Sequence, residues 1–114
     1  MPSLSLRIDL DPTGRIGPGK IALLEAIDTA GSISAGARAM GMSYKRAWDL
    51  VEEMNRLFGR PVAGTRTGGS KGGGAELTPL GRSLVQRFRS MEKASMEAAA
   101  PYLEALQRDM VSSE

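Results

Sequence analysis

The chain contains no cysteine and no histidine. The first absence excludes a disulfide framework and a thiol nucleophile. The two together remove the usual ligands of a zinc site, so no metal is expected. They also remove the imidazole of a Ser-His-Asp triad or a histidine acid–base pair. With no carboxylate pair in an evident pocket either, the expectation is a protein that is not an enzyme. Aromatic residues are scarce, with one Trp, two Tyr and two Phe. A core must therefore rest on Leu, Ile, Val, Met and Ala. No apolar run approaches the roughly 20 residues that span a bilayer. Met1 to Leu10 alternates and carries charge, unlike a signal peptide. These features predict a cytoplasmic protein with no membrane partner. What is present, 114 residues of which 41% are apolar and 25% charged, fits one globular domain over 1–114.

Net charge is only +2, and its distribution says more than its size. Residues 32–74 hold Arg38, Lys45, Arg46, Arg56, Arg60, Arg66 and Lys71 against three anions, while each flanking segment is slightly acidic. A basic region between near-neutral ends suggests one polyanion-binding surface. Chance clustering on a solvated surface is the competing explanation.

Ser5 to Leu10 alternates with period two and predicts a half-buried strand bearing Leu6, Ile8 and Leu10 on one side. Asp11-Pro12-Thr13-Gly14 predicts a turn. Pro18 to Ala30 predicts a helix, with Pro18 in its first turn, Ile21, Leu23, Leu24 and Ile27 as its apolar stripe, and Gly31 just past its end. Ser32 is placed to cap a short helix from Ile33 to Met40, which Gly41 stops. Ser43 caps a third helix reaching Phe58 and ended by Gly59. At 100° per residue, Ala47, Leu50, Val51, Met54 and Phe58 share its inner face, while Lys45, Asp49, Glu52 and Arg56 lie opposite. Two extended runs, Pro61–Thr67 and Ala75–Thr78, flank five glycines in seven residues and predict a hairpin with a glycine-rich tip. Thr78-Pro79 starts a last helix, in which Leu80, Leu84, Phe88, Met91, Ala98, Tyr102 and Leu106 recur three or four residues apart. Pro101 should kink or break it near Ala98–Ala100.

This order predicts a mainly α protein with a small β-hairpin wing, of α+β class. It is a winged helix-turn-helix, with the helix-turn-helix at about 32–58, the wing at about 61–78 and the C-terminal helix at about 79–110. Ala37 serves as the small residue at the helix crossing, Gly41 as the turn, and Ala47 and Leu50 as the core contacts of the second helix. The start of that helix then exposes Ser43, Tyr44, Lys45, Arg46, Trp48 and Asp49, the positions from which a recognition helix reaches base edges. In the wing, Arg66, Thr67, Gly69, Ser70 and Lys71 are suited to follow a phosphate backbone. Trp48 and Tyr44 lie on the shoulders of the helix, where packing and DNA contact compete. Glu52 and Glu53 would repel phosphate and should point away from it. The glycine-rich run is not a P-loop, since it lacks Gly-Lys-Ser/Thr leading into a helix.

The run from Ser32-Ile33-Ser34-Ala35-Gly36-Ala37 through Gly41-Met42-Ser43-Tyr44-Lys45-Arg46-Ala47-Trp48-Asp49-Leu50 closely resembles the DNA-binding domain of the ModE family, molybdate-responsive bacterial transcription regulators. The likeness continues in Glu53-Met54-Asn55, Arg66-Thr67-Gly68-Gly69, Lys71-Gly72-Gly73-Gly74-Ala75, Leu77-Thr78 and Gly81, and covers about residues 15–90. The resemblance implies a homodimeric regulator on a palindromic operator in double-stranded DNA. Ser32, Ser34 and the recognition-helix and wing residues named above would contact DNA. Leu80, Leu84, Phe88, Met91, Tyr102 and Leu106 of the C-terminal helix would build the dimer. ModE proper continues into molybdate-binding domains, and nothing here resembles those segments, so a stand-alone domain is expected. No cofactor is evident. A molybdate-like oxyanion would need donors such as Ser43 with Lys45, or the wing with Lys71, which are the same groups that phosphate needs. A separate sensor protein is another route to a signal. The rival reading is a winged-helix protein-interaction module that pairs through its C-terminal helix.

Overall fold

The computed structural model of the protein describes residues 1–66 and 74–111. Its elements run β1 (Ile8–Leu10), β2 (Gly14–Ile16), α1 (Pro18–Ala30), α2 (Ile33–Ala39), α3 (Tyr44–Phe58), β3 (Ala63–Arg66), β4 (Gly74–Leu77) and α4 (Pro79–Asp109). The helix ends follow local chemistry. The Ser32 hydroxyl accepts from the Ala35 N–H at 3.0 Å, and the Ser43 hydroxyl from the Arg46 N–H at 3.0 Å. Each satisfies a donor that the first turn leaves open. Gly31, Gly41 and Gly59 adopt φ of 86°, 68° and 67°, the left-handed conformation that ends α1, makes the turn before α3 and ends α3.

Leu23, Leu24 and Ile27 of α1 meet Ala37 of α2 and Ala47, Leu50, Val51 and Met54 of α3 in one buried cluster, which Val62, Ala75 and Leu77 of the wing complete. At the crossing of α1 and α2, Gly36 matters as much as Ala37. A Cβ on Gly36 would lie 2.9 Å from the Ile27 backbone nitrogen and Cα, so backbone would meet side chain. The β3–β4 hairpin is antiparallel, pairing Ala63 with Leu77 and Arg66 with Gly74. Its position is fixed from both sides. The Ala75 N–H donates to the Gly31 carbonyl at 2.7 Å and the Leu77 N–H to Asp28 Oδ1 at 3.1 Å. The Val62 N–H donates to Asn55 Oδ1 of α3 at 2.8 Å. The Thr78 hydroxyl donates to the Pro61 carbonyl at 2.8 Å and accepts from the Gly81 N–H at 3.1 Å. One side chain thereby closes the hairpin base and caps α4.

Three expectations need correction. The N-terminal strand is shorter than Ser5–Leu10 and has a partner, β2, with Ile8 opposite Ile16. Leu10, which ends β1 at the turn into β2, is 42% exposed rather than turned inward. Of the kink or break expected at Pro101, the break does not occur: the last helix is continuous from Pro79 to Asp109. Pro101 removes one backbone donor, but its fixed φ is compatible with the helix. The neighbouring Ala98, Ala99, Ala100, Leu103 and Ala105 are strong helix formers.

The third correction concerns the dimer stripe. Phe88 is fully buried against Ile16 and Ile21 in the chain's second apolar cluster. It fills the space between the ribbon, α1 and α4, and leaves no surface for a partner. Leu80 and Leu84 are also packed against the core, though only partly buried. Beyond Phe88, α4 has no buried residue. The radius of gyration is 17.2 Å, against about 13 Å for a compact chain of this length. The excess comes from the arm that α4 forms.

Candidate nucleic-acid interface

α3 is amphipathic in the strict sense that its inner face is buried and its outer face is charged. Ala47, Leu50, Val51 and Met54 are its buried residues. That packing turns Ser43, Tyr44, Lys45, Arg46 and Trp48 outward, and all five are exposed. The Lys45 side chain is 85% exposed, and it pairs with Asp49 at 3.0 Å one turn on. Asp49 thus steadies a cation at the surface. An exposed i, i+4 pair of this kind is weak, about 0.3–0.5 kcal/mol, so Lys45 stays available to a stronger anion.

The two flanks of α3 differ. On one flank Tyr44, Trp48 and Asn55 face β3 across a cleft of about 420 Å³, with Ser32 and Ser34 at its α2 end and Thr65 and Gly74 at its wing end. Four residues expected at the interface, Ser32, Ser34, Tyr44 and Trp48, are therefore brought together around one cleft. Ser32 uses its hydroxyl oxygen to cap α2, which leaves its O–H free to donate elsewhere. On the other flank Arg46 lies apart from them, beside Arg7, Arg15 and Lys20. Arg66 ends β3, its backbone opposite Gly74. Thr67, Gly69, Ser70 and Lys71 lie outside the described residues.

Some of the residues that shape this face have roles that no local sequence pattern announces, Asn55 among them although it lies in the family-like run. Asn55 ties α3 to the wing and Asp28 ties the wing to α1. Both are side chains that satisfy a strand N–H far along the chain, so neither has a local pattern. Glu25 on α1 holds Arg89 on α4 through two hydrogen bonds, one of them 3.1 Å, and Arg89 also reaches Glu92 at 2.7 Å. The guanidinium hydrogen bonds keep the Glu25 carboxyl below its ordinary pKa, against a smaller opposing effect of burial. They also raise the Arg89 pKa still further. This network fixes α4 to α1.

No protein-family model matches the chain. Individual relatives do. The molybdenum-pterin-binding protein MopB of Rhodobacter capsulatus is 44% identical over 101 residues, 88% of this chain and 37% of that protein. The molybdenum transport protein ModE of Azotobacter vinelandii is 39% identical over 87 residues, covering 76% of this chain and 32% of its own length. The DNA-binding transcriptional dual regulator ModE of Escherichia coli K12 is 43% identical over 81 residues, covering 71% and 31%. The chain belongs to the ModE family. It spans about a third of the length of these curated relatives. The crystal structure of a MarR family transcription regulator matches 81% of this chain and 62% of its own with a TM-score of 0.59 at 18% identity, which shows the winged-helix fold. In this ModE-family chain no described helix is long and apolar enough to cross a membrane.

Proposed function

We propose that this ModE-family chain is a sequence-specific DNA-binding transcription regulator, a single winged helix-turn-helix domain over 1–114 that acts as a cytoplasmic homodimer and not as an enzyme. The observation that carries the reading is α3. Its capped N-terminus presents Lys45 and Arg46 in the open, with Tyr44 and Trp48 exposed beside the wing. A helix N-terminus with exposed cations attracts phosphate. Aromatic edges next to it suit thymine methyls and sugar, and Lys45 or Arg46 suits guanine. The wing residues Arg66, Thr67, Gly69, Ser70 and Lys71 would add backbone contacts. Of the expected stripe, Met91, Tyr102 and Leu106 on the α4 arm are left for a second copy, at 41%, 73% and 64% exposure. Two recognition helices roughly 34 Å apart would then read two half-sites of a palindrome. The relatives' names connect the reading to molybdenum, and an oxyanion or a separate sensor protein is the signal it would answer to.

The test is fluorescence anisotropy on the DNA upstream of its own coding region and on scrambled duplex, over a salt series, with and without molybdate. Selective binding that weakens steeply with salt is expected. Absence of binding to any duplex at low salt would sink the reading and favour pairing with another protein through α4.

A further inference from the structure

We propose that the β1–β2 ribbon is a second contact for the DNA backbone, on the flank of α3 opposite the wing. The inference rests on the DNA-binding reading above and adds Arg7 and Arg15 to it. At 100° per residue, Tyr44, Trp48 and Asn55 leave α3 on one side and Arg46, Glu53 and Leu57 on the other. The structure fills the first side with β3 and the second with the ribbon and the start of α1. There Arg7, Arg15, Lys20 and Arg46 line one cleft of about 350 Å³ with no carboxylate among the described residues of its walls.

The charge on this flank does not cancel. Asp9 serves both Arg7, at 3.6 Å, and Arg15, at 3.3 Å. Lys20 pairs with Glu53. Arg46 has no ion-pair partner among the described residues. Arg7, Arg15 and Lys20 share these two carboxylates, Asp11 lines a neighbouring hollow with Arg15, and four cations therefore stand against three carboxylates. The side chains of Arg7 and Arg15 are 58% and 64% exposed, so neither is spent on packing. Arg15 is mounted between two packed residues. Ile16 is buried with Ile21 and Phe88. Gly14 sits so close to α3 that a Cβ there would lie 2.8 Å from Leu57 Cδ1.

Groove dimensions select the occupant. A helix with its side chains is about 10–12 Å across, and the major groove is about 12 Å wide. A recognition helix fills the groove, so whatever flanks it on each side meets one of the two phosphate strands bordering that groove. The wing serves one strand and the ribbon serves the other.

The experiment measures affinity for upstream and random duplex over a salt series, with folding checked by thermal melting. Arg7→Ala/Arg15→Ala should weaken binding to both duplexes by a similar factor. It should also lower the slope of log K against log salt by about 1 to 2, close to one unit per lost phosphate contact. Asp9→Asn frees both guanidiniums, and should tighten binding and steepen the slope, a gain that a purely structural role would not produce. If the wild type binds DNA and neither variant changes affinity or slope, the ribbon is not a contact and the proposal falls alone. If the wild type binds no duplex, the DNA-binding reading falls and takes this one with it.

Discussion

The two halves of α4 share one apolar rhythm and have different surroundings. From Pro79 to Phe88, Leu80 and Leu84 pack on the core and Phe88 is sealed inside it. From Arg89 to Asp109 the same spacing continues through Met91, Tyr102 and Leu106, and these side chains stand in solvent. Periodicity records that a helix has an apolar face. It does not record whether the covering surface belongs to the same chain. In the first half that surface is supplied by α1, the wing and the ribbon. In the second half none of the described residues reaches far enough to bury it, because 31 residues extend about 46 Å while the domain beside them is smaller.

The largest test of this contrast is Phe88→Ala. It empties a fully buried site and should cost about 3–5 kcal/mol, read by chemical denaturation at a fixed protein concentration. A cost near zero would mean that the first half is not anchored as described. Tyr102→Glu/Leu106→Glu should leave circular dichroism unchanged and weaken self-association more than tenfold in sedimentation equilibrium, about 1.4 kcal/mol or more. Unchanged association would place the dimer contacts elsewhere. Arg89→Ala, at the junction of the halves, should cost about 1 kcal/mol or less, since both partners are about 40% exposed. Its pH dependence is more telling. The Glu25 carboxyl is held below its ordinary value in the folded state. Its contribution is therefore complete above the unfolded pKa and lost as pH falls through the folded one. The variant should lose less stability than the wild type on acidification, and an equal loss would show that the pair does not matter. The smallest effect is expected from Pro101→Ala, which should slow amide exchange around the restored hydrogen bond without moving the global melt.

Much of the fold was legible because its signals are local. Pro18 with Gly31, and Ser43 with Gly59, mark both ends of α1 and α3 within a residue. The unread parts depend on distant partners. Gly14-Arg15-Ile16 is too short to show a period, and becomes a strand by pairing with Ile8–Leu10. Gly36 and Ala37 are both small, and the angle at which α2 crosses α1 decides which of them touches Ile27. The outward residues of α3 followed directly from 100° geometry. The basic cleft beside Arg46 did not, since residues 1–31 are slightly acidic as a segment. Folding gathers Arg7, Arg15 and Lys20 beside Arg46, while Arg15 also borders the hollow that holds Asp9 and Asp11.

The joint at Thr78 and Gly81 has a mechanical consequence. A Cβ on Gly81 would lie 2.0 Å from the Val62 carbonyl oxygen, so α4 leaves the wing with no slack. In a dimer joined through α4, that joint sets the direction of the helix, and the arm beyond Arg89 carries it about 30 Å farther. A tilt of about 8° in that direction moves the arm's far end by about 4 Å, slightly more than the roughly 3.4 Å rise of one DNA base pair. Small changes in packing around Val62 would therefore reset the spacing of half-sites that two copies can span. The operator length could drift in this way while every base-reading side chain stayed the same.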